Sequence, residues 1–151
     1  MEKSKGFTLI ELLIVIAIVA ILAGVVLIAV NPAEQMKRAR NAERYAEVNA
    51  LMNAVSQYLV DNETLPSCVT TTLKCIGTAG VGACVNDGAS GADGCDLSGD
   101  LAPYYIADIP IDPDSSASTA DTGYNIISTG AAGRVTLSAG YAEGVTISVT
   151  R

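Results

Sequence analysis

Hydrophobic and polar positions divide the chain into stretches of different period. An apolar run covers Leu9 to Val30, and Glu11 is its single charged residue. Its 22 residues span about 33 Å as a helix, close to the roughly 30 Å hydrocarbon core of a bilayer. Removable secretory signals carry shorter apolar segments, about 7–15 residues, ending in a small-residue cleavage site. No Ala-x-Ala site follows here, and Asn31-Pro32 closes the run. The pattern therefore predicts a membrane anchor that is retained. Pro32 has two readings: a kink inside one long helix, or the first position of a second helix capped by Asn31.

From Tyr45 the apolar positions step by three or four, through Val48, Met52, Val55 and Leu59, with Leu51 and Tyr58 widening the stripe. This predicts a helix ending near Asn62, ahead of Leu65-Pro66. Residues 66–123 lose periodicity and fill with Gly, Ser, Asp, Ala and Thr, as in 87–94. A loop region is expected there, with a short helical turn near Leu101 and a core edge of Leu101, Tyr105 and Ile109. Strict alternation returns in Val135, Leu137, Ala139 and in Val145, Ile147, Val149. With Tyr124–Thr129 these segments predict an antiparallel meander of three strands joined by Gly-bearing turns. One face of that sheet needs an apolar cover, and the Tyr45–Leu59 stripe has the right length. The expected fold class is α+β: a long N-terminal helix, transmembrane in its first half, packed on a small C-terminal antiparallel sheet.

The head of the chain reads Lys3-Ser4-Lys5-Gly6-Phe7-Thr8-Leu9-Ile10-Glu11. Two lysines, a glycine, a phenylalanine and a glutamate inside an apolar helix resemble the class III signal of type IV prepilins and pseudopilins. The resemblance covers residues 1–31. It implies cleavage after Gly6 by a membrane prepilin peptidase, which also methylates the new N-terminal residue, Phe7. It identifies Glu11 with the family's hallmark glutamate. The shape it implies is pilin-like. The organisation expected is a leader at 1–6, a transmembrane and filament-core helix at 7–31, the outer helix at 32–62, a disulfide-stapled loop region at 63–123, and the sheet at 124–151. The Ile109-Pro110-Ile111-Asp112-Pro113 string resembles a segment before the sheet in major pseudopilins and short pilins. Filaments of this family serve adhesion, motility, DNA uptake or secretion.

Glu11 also has a reading from physics alone. A carboxylate well inside a bilayer costs about 2.5–3.5 kcal/mol on insertion scales, less near the end of a span. It is either a tolerated interfacial residue or a group awaiting a positive partner. Cutting after Gly6 creates one, the α-amino group of Phe7, on the same chain or on a neighbour. Losing one member of such a pair leaves an uncompensated buried charge.

Composition narrows the chemistry. The chain has 151 residues, no His, no Trp, one Phe and a net charge of −7. Without His it lacks the commonest general base and metal ligand. Neither a nucleophile with its base nor a phosphate-binding loop is found, so no enzyme and no cofactor are expected. Residues 61–151 carry 11 acidic and 3 basic side chains. That surface repels phosphate backbones, and no nucleic acid is expected to bind it. Residues 31–60 carry Lys37, Arg38, Arg40 and Arg44 against three glutamates, read as a solvated helix face or as intersubunit pairing, ahead of the alternative that the basic group at 37–44 contacts DNA. The balance of basic residues flanking the span favours an outward N-terminus. The family resemblance places the leader on the cytoplasmic side, and that orientation is adopted.

Cys68, Cys75, Cys84 and Cys95 form no Cys-x-x-Cys pair. Beyond a membrane anchor they suit two disulfides better than zinc. Three connectivities are open, and loop closure favours Cys68–Cys75 with Cys84–Cys95. Asp112, Asp114 and Asp121 are candidate calcium ligands, since related pseudopilins bind calcium in a comparable loop; the alternative is solvated turn aspartates. The function expected is a structural subunit of a type IV pilus or pilus-like filament. Its precursor sits in the cytoplasmic membrane with the acidic domain outside. Its partners are copies of itself, the prepilin peptidase, an assembly ATPase and a platform protein. The alternatives are a major pseudopilin of a type II secretion system and a membrane-anchored surface domain that never polymerises.

Overall fold

A computed structural model of the chain describes residues 6–86, 88–130 and 134–151. Residues 1–5 of the expected leader, Asp87 of the glycine-rich loop and residues 131–133 of the first strand connection lie outside the described residues. Contacts divide the chain into two compact units, one ending at Arg38 and one running Ala39–Arg151.

The first unit holds helix α1 (Leu9–Val30) and the opening turns of α2 (Pro32–Asn62). Asn31 separates them. Its φ of 43° and ψ of 78° lie in the left-handed region, which ends a right-handed helix and which Asn tolerates better than most residues. The Asn31 carbonyl accepts the N–H groups of Glu34 at 3.1 Å and Gln35 at 3.3 Å, starting the next helix. Pro32 is its first residue, where a missing N–H costs nothing and a fixed φ helps. Of the two readings of Pro32, the structure has the second helix, with the interruption itself on Asn31.

In the second unit α2 buries Asn41, Arg44, Val48, Leu51, Met52, Ala54 and Val55. The stripe read from sequence is there at Val48, Leu51, Met52 and Val55, while Tyr58 and Leu59 are half-buried; its start needs a correction. Tyr45 is 45 % exposed, and Arg44 occupies the row in its place. Positions 41, 44, 48, 51 and 55 form a continuous three-four row. Tyr45 stands about 100° further round the helix from Arg44, and a buried partner for Arg44 decides between them.

The apolar row packs on a sheet of five strands in the order β2-β1-β3-β4-β5. These are β1 (Lys74–Ile76), β2 (Gly94–Cys95), β3 (Tyr124–Ser128), β4 (Val135–Ala139) and β5 (Ser148–Thr150). The three C-terminal strands form the expected antiparallel meander, although the last is confined to Ser148–Thr150 and Val145, expected on its apolar face, is exposed. Two short strands from the region expected as loop extend it, β1 antiparallel to β3 and β2 parallel to β1. Three and two residues are too few for an alternation signal, so the sequence pattern missed them. A four-residue helix, α3 (Ser98–Leu101), follows β2 and buries Leu101. Leu101 is in the core, and Tyr105 and Ile109 pack against it. The inner face of the sheet presents Ile76, Cys95, Tyr124, Ile126, Val135 and Leu137 to Val48, Leu51, Met52 and Val55 of α2.

The disulfides are Cys68–Cys95 and Cys75–Cys84, which corrects the expected pairing. Closing a loop of 27 residues rather than a shorter one costs little; strand alternation decides instead. Cys95 is the partner of Ile76 across the parallel pair and shares its core face. Cys75, one residue earlier, faces the other side, where it packs with Cys84 and Ala89. Cys95 therefore reaches Cys68, which packs against the main core. The Cys75–Cys84 bridge staples the 77–93 excursion over the outer face.

Leu51 is fully buried between helix and sheet. Leu51→Ala is expected to lower stability by about 2–5 kcal/mol, read as a fall in the denaturant midpoint of the detergent-solubilised chain. Val60→Ala, at a position 77 % exposed, is expected to leave the midpoint nearly unchanged.

Candidate functional site

The first candidate region is the stem. Every residue of α1 is exposed, its large apolar side chains ranging from 48 % at Val30 to 86 % at Ile28. Mean hydropathy reaches 3.4 within the helix. A helix apolar on all sides requires lipid or other protein around it. α1 is long and apolar enough to cross a membrane.

The start of α1 is fixed by a capping box. Thr8 is the N-cap in extended geometry. Its Oγ1 accepts the Glu11 N–H at 3.3 Å. The Glu11 carboxylate in turn accepts the Thr8 N–H at 2.8 Å and the Thr8 hydroxyl at 2.7 Å. Glu11 thus neutralises part of the positive end of its own helix. The signal for this was in the sequence as Thr-x-x-Glu. Gly6 and Phe7 lie before the cap, outside any helix or strand. Gly6 has open space where a Cβ would stand, and Phe7 is 82 % exposed. The bond between them joins two exposed residues.

The second region is a charged clasp in the Ala39–Arg151 unit. Arg44 is fully buried and grips Asp112 with two bonds, Nε to Oδ2 at 2.7 Å and Nη2 to Oδ1 at 2.8 Å. Its Nη1 donates to Asn41 Oδ1 at 2.9 Å. Arg40 holds Glu143 the same way, at 2.5 and 2.8 Å. The Asn41 side-chain amide pairs with the Glu143 backbone, Nδ2 donating to the carbonyl at 2.8 Å and Oδ1 accepting the N–H at 3.1 Å. The Arg40 guanidinium holds the Glu143 carboxyl far below its ordinary value, to about 2. Gly123, at φ +84°, makes room for Asp112: a Cβ there would come within 2.7 Å of the Asp112 Cβ. Beside the clasp, the buried Tyr124 hydroxyl donates to Glu47. Burial pushes the Tyr124 phenol above its ordinary range, reinforced by the Glu47 carboxylate. Partners some 70 to 100 residues apart carry no sequence signal. Arg40 and Arg44 are accordingly corrected from a solvated face to an internal network, while Lys37 and Arg38 remain exposed.

The three aspartates proposed for calcium are not brought together as ligands. Both Asp112 oxygens face Arg44, and Oδ1 also accepts the Asp114 N–H at 2.8 Å. A cation there would have to displace the guanidinium. Asp121 instead organises the stapled excursion. It accepts the N–H groups of Val85 at 2.7 Å, Asn86 at 2.9 Å and Gly123 at 3.0 Å, and the Asn86 side-chain amide at 2.7 Å. Burial opposes its ionisation, and these bonds outweigh it, holding the carboxyl below its usual range. Asp121 also lies near Cys75 and Cys84, whose sulfurs are joined to each other.

Residues 1–27 match the family model described as the prokaryotic N-terminal methylation motif. The chain is 45 % identical over 67 residues to the type IV wide pilus major component PilA4 of Thermus thermophilus, covering 44 % of this chain and 50 % of that one. It is 33 % identical over 66 residues to the type II secretion system core protein G of Escherichia coli, covering 44 % of each. The chain spans about half the length of the curated relatives it matches. No solved structure matches it. The prepilin resemblance of residues 1–31 is thus met by an independent family match and by a pilin and a pseudopilin relative.

Arg44→Met leaves Asp112 buried without its partner. A loss of about 3–5 kcal/mol is expected, much of it recovered in Arg44→Met/Asp112→Leu, measured by denaturant unfolding. Glu143 sets a pH signature. Its carboxyl titrates lower in the folded chain than the ordinary 4.5, so its contribution is complete above that value and is lost as pH falls towards about 2. The Tm advantage of the wild type over Glu143→Gln should therefore be constant near neutrality and shrink across that window. An advantage that does not change with pH would refute the assignment.

Proposed function

We propose that this chain is a structural subunit of a type IV pilus or pilus-like extracellular filament, cut after Gly6, N-methylated on Phe7 and assembled through α1. The observation that carries the reading is the stem, a 22-residue helix exposed and apolar on every side, with Glu11 as its one ionisable group. Such a surface is covered by lipid before assembly and by neighbouring stems afterwards. Ala17, Ala20, Ala23 and Gly24 are small enough to let those helices approach closely. The methylation-motif match and the PilA4 similarity support the same reading. The precursor sits in the cytoplasmic membrane, with the acidic unit outside. A prepilin peptidase processes it, and an assembly ATPase with a platform protein drives extraction.

Glu11 has two sets of donors in this scheme. In the uncut chain the Thr8 cap satisfies it. Cleavage adds the Phe7 ammonium, and inside a dry bundle a neighbour's amine pairs with Glu11 and fixes axial register. The similarity to core protein G favours a second reading, a major pseudopilin of a type II secretion system. A chain required for protein secretion but absent from surface filaments would select it.

The N-terminal mass of chains sheared from cells tests the proposal. A chain starting at methylated Phe7 and abundant in filaments is expected; one that retains Met1 to Gly6, or is absent from any polymer, refutes it. Glu11→Ala should remove the chain from filaments while leaving it in the membrane. A membrane-anchored domain that never polymerises would be indifferent to that change.

A further inference from the structure

The Ala39–Arg151 unit contains a cavity of about 270 Å³ walled by Ile76, Leu97, Ile109 and Ile111. Ile111 is 41 % exposed, so the apolar wall reaches the surface. Two exposed acids, Asp96 and Asp108, also line it. Asp96 accepts the Ser98 N–H at 2.9 Å and hydroxyl at 2.6 Å, and Asp108 accepts the Ile109 N–H at 2.8 Å. These bonds hold the Asp96 carboxyl below its ordinary range, so it stays ionised. Among the described residues neither acid forms an ion pair. An apolar hollow beside two uncompensated carboxylates suits an apolar side chain adjoining a cation.

The chain carries such a group on its other unit. Met36, in the opening turns of α2, is 61 % exposed. Lys37 beside it is exposed and, among the described residues, makes no ion pair. The Arg38 side chain is 70 % exposed and reaches Glu34 at 3.7 Å, a surface pair that contributes little. The clasp consumes Arg40 and Arg44 internally, and Arg38 stands about 200° round the helix from Met36, which leaves Lys37 as the exposed cation adjoining that apolar side chain.

We propose that the Met36–Lys37 face of α2 in one copy docks in the Asp96/Asp108 cavity of a second copy, Met36 entering the apolar hollow and Lys37 meeting the carboxylates. The occupant follows from charge complementarity, since the acid-rich unit and the basic turn belong to the same chain. Two different surfaces that fit each other make a heterologous contact, which propagates rather than closing into a pair. The contact rests on the filament reading above and deepens it, naming the surface outside the stem that sets subunit spacing.

Carbodiimide treatment of native filaments, which condenses an amine with a touching carboxylate, tests this without altering the protein. The expected product is a peptide joining Lys37 to Asp96 or Asp108, formed between copies when isotope-labelled and unlabelled filaments are compared. Charge reversal is the second arm. Asp96→Lys/Asp108→Lys and Lys37→Asp should each cut sheared filament yield by about tenfold or more, because like charges across a contact repel. Combining all three changes should restore it. Full yield from either variant, or absence of the cross-link from intact wild-type filaments, overturns the contact while leaving the filament reading standing. If the wild type forms no filaments, the filament reading falls and this contact with it.

Discussion

The stem imposes the constraint that everything else must meet. α1 has no polar side along which water can be accommodated, so it has no stable existence as an isolated helix in water. Its one ionisable group lies in the first turn. There backbone N–H groups and the positive end of the helix lower the cost of a carboxylate in apolar surroundings. Placed deeper, the same glutamate would oppose insertion; placed before the cap, it would belong to the interface. Its position lets the helix accept a cationic partner while remaining tolerable in lipid without one.

The head solves a different problem. A helix cannot close a five-stranded sheet by apolar contact alone when the sheet is partly built from short strands in a glycine-rich region. Arg44, Asn41 and Arg40 tie α2 to the segment around Asp112 and to the turn at Glu143. A buried ion pair is no better than a well-packed apolar pair for net stability. Its merit is directional: the paired bonds to Asp112 admit one placement of that segment against the helix. The Cys75–Cys84 bridge and Asp121 do the same for the excursion covering the outer face.

How far the sequence was legible follows from the range of each interaction. The apolar run, the helical stripe of Val48, Leu51, Met52 and Val55, and the alternation of Val135 and Leu137 are local patterns, and all appear in the structure. Tyr45 was misplaced because a three-four stripe has an ambiguous edge, and the buried Arg44 on that edge takes its meaning from Asp112, 68 positions away. The disulfides were misread because loop-closure entropy discriminates weakly, while the opposite facing of Cys75 and Cys95 required knowing that they sit one register step apart on neighbouring strands. The Thr8 cap is local and is written in the sequence as Thr-x-x-Glu, a hydroxyl three residues before the Glu11 carboxylate that it meets.

The two units therefore divide information as well as structure. The stem is specified by composition and one charge, so a family model can match it over residues 1–27. The Ala39–Arg151 unit is specified by pairings between distant residues. Those pairings consume the guanidinium groups of Arg40 and Arg44 and the carboxylates of Asp112, Glu143 and Asp121. Internal pairing leaves a surplus of acid on one unit and exposed cations at the start of α2 on the other. In the filament proposed above, stems alone would set axial rise through Glu11 but leave rotation about the axis governed by non-directional apolar contact. The proposed contact between the start of α2 in one copy and the acid-lined cavity of the next would supply direction at the surface, where salt can tune it, while the buried pairs determine the head.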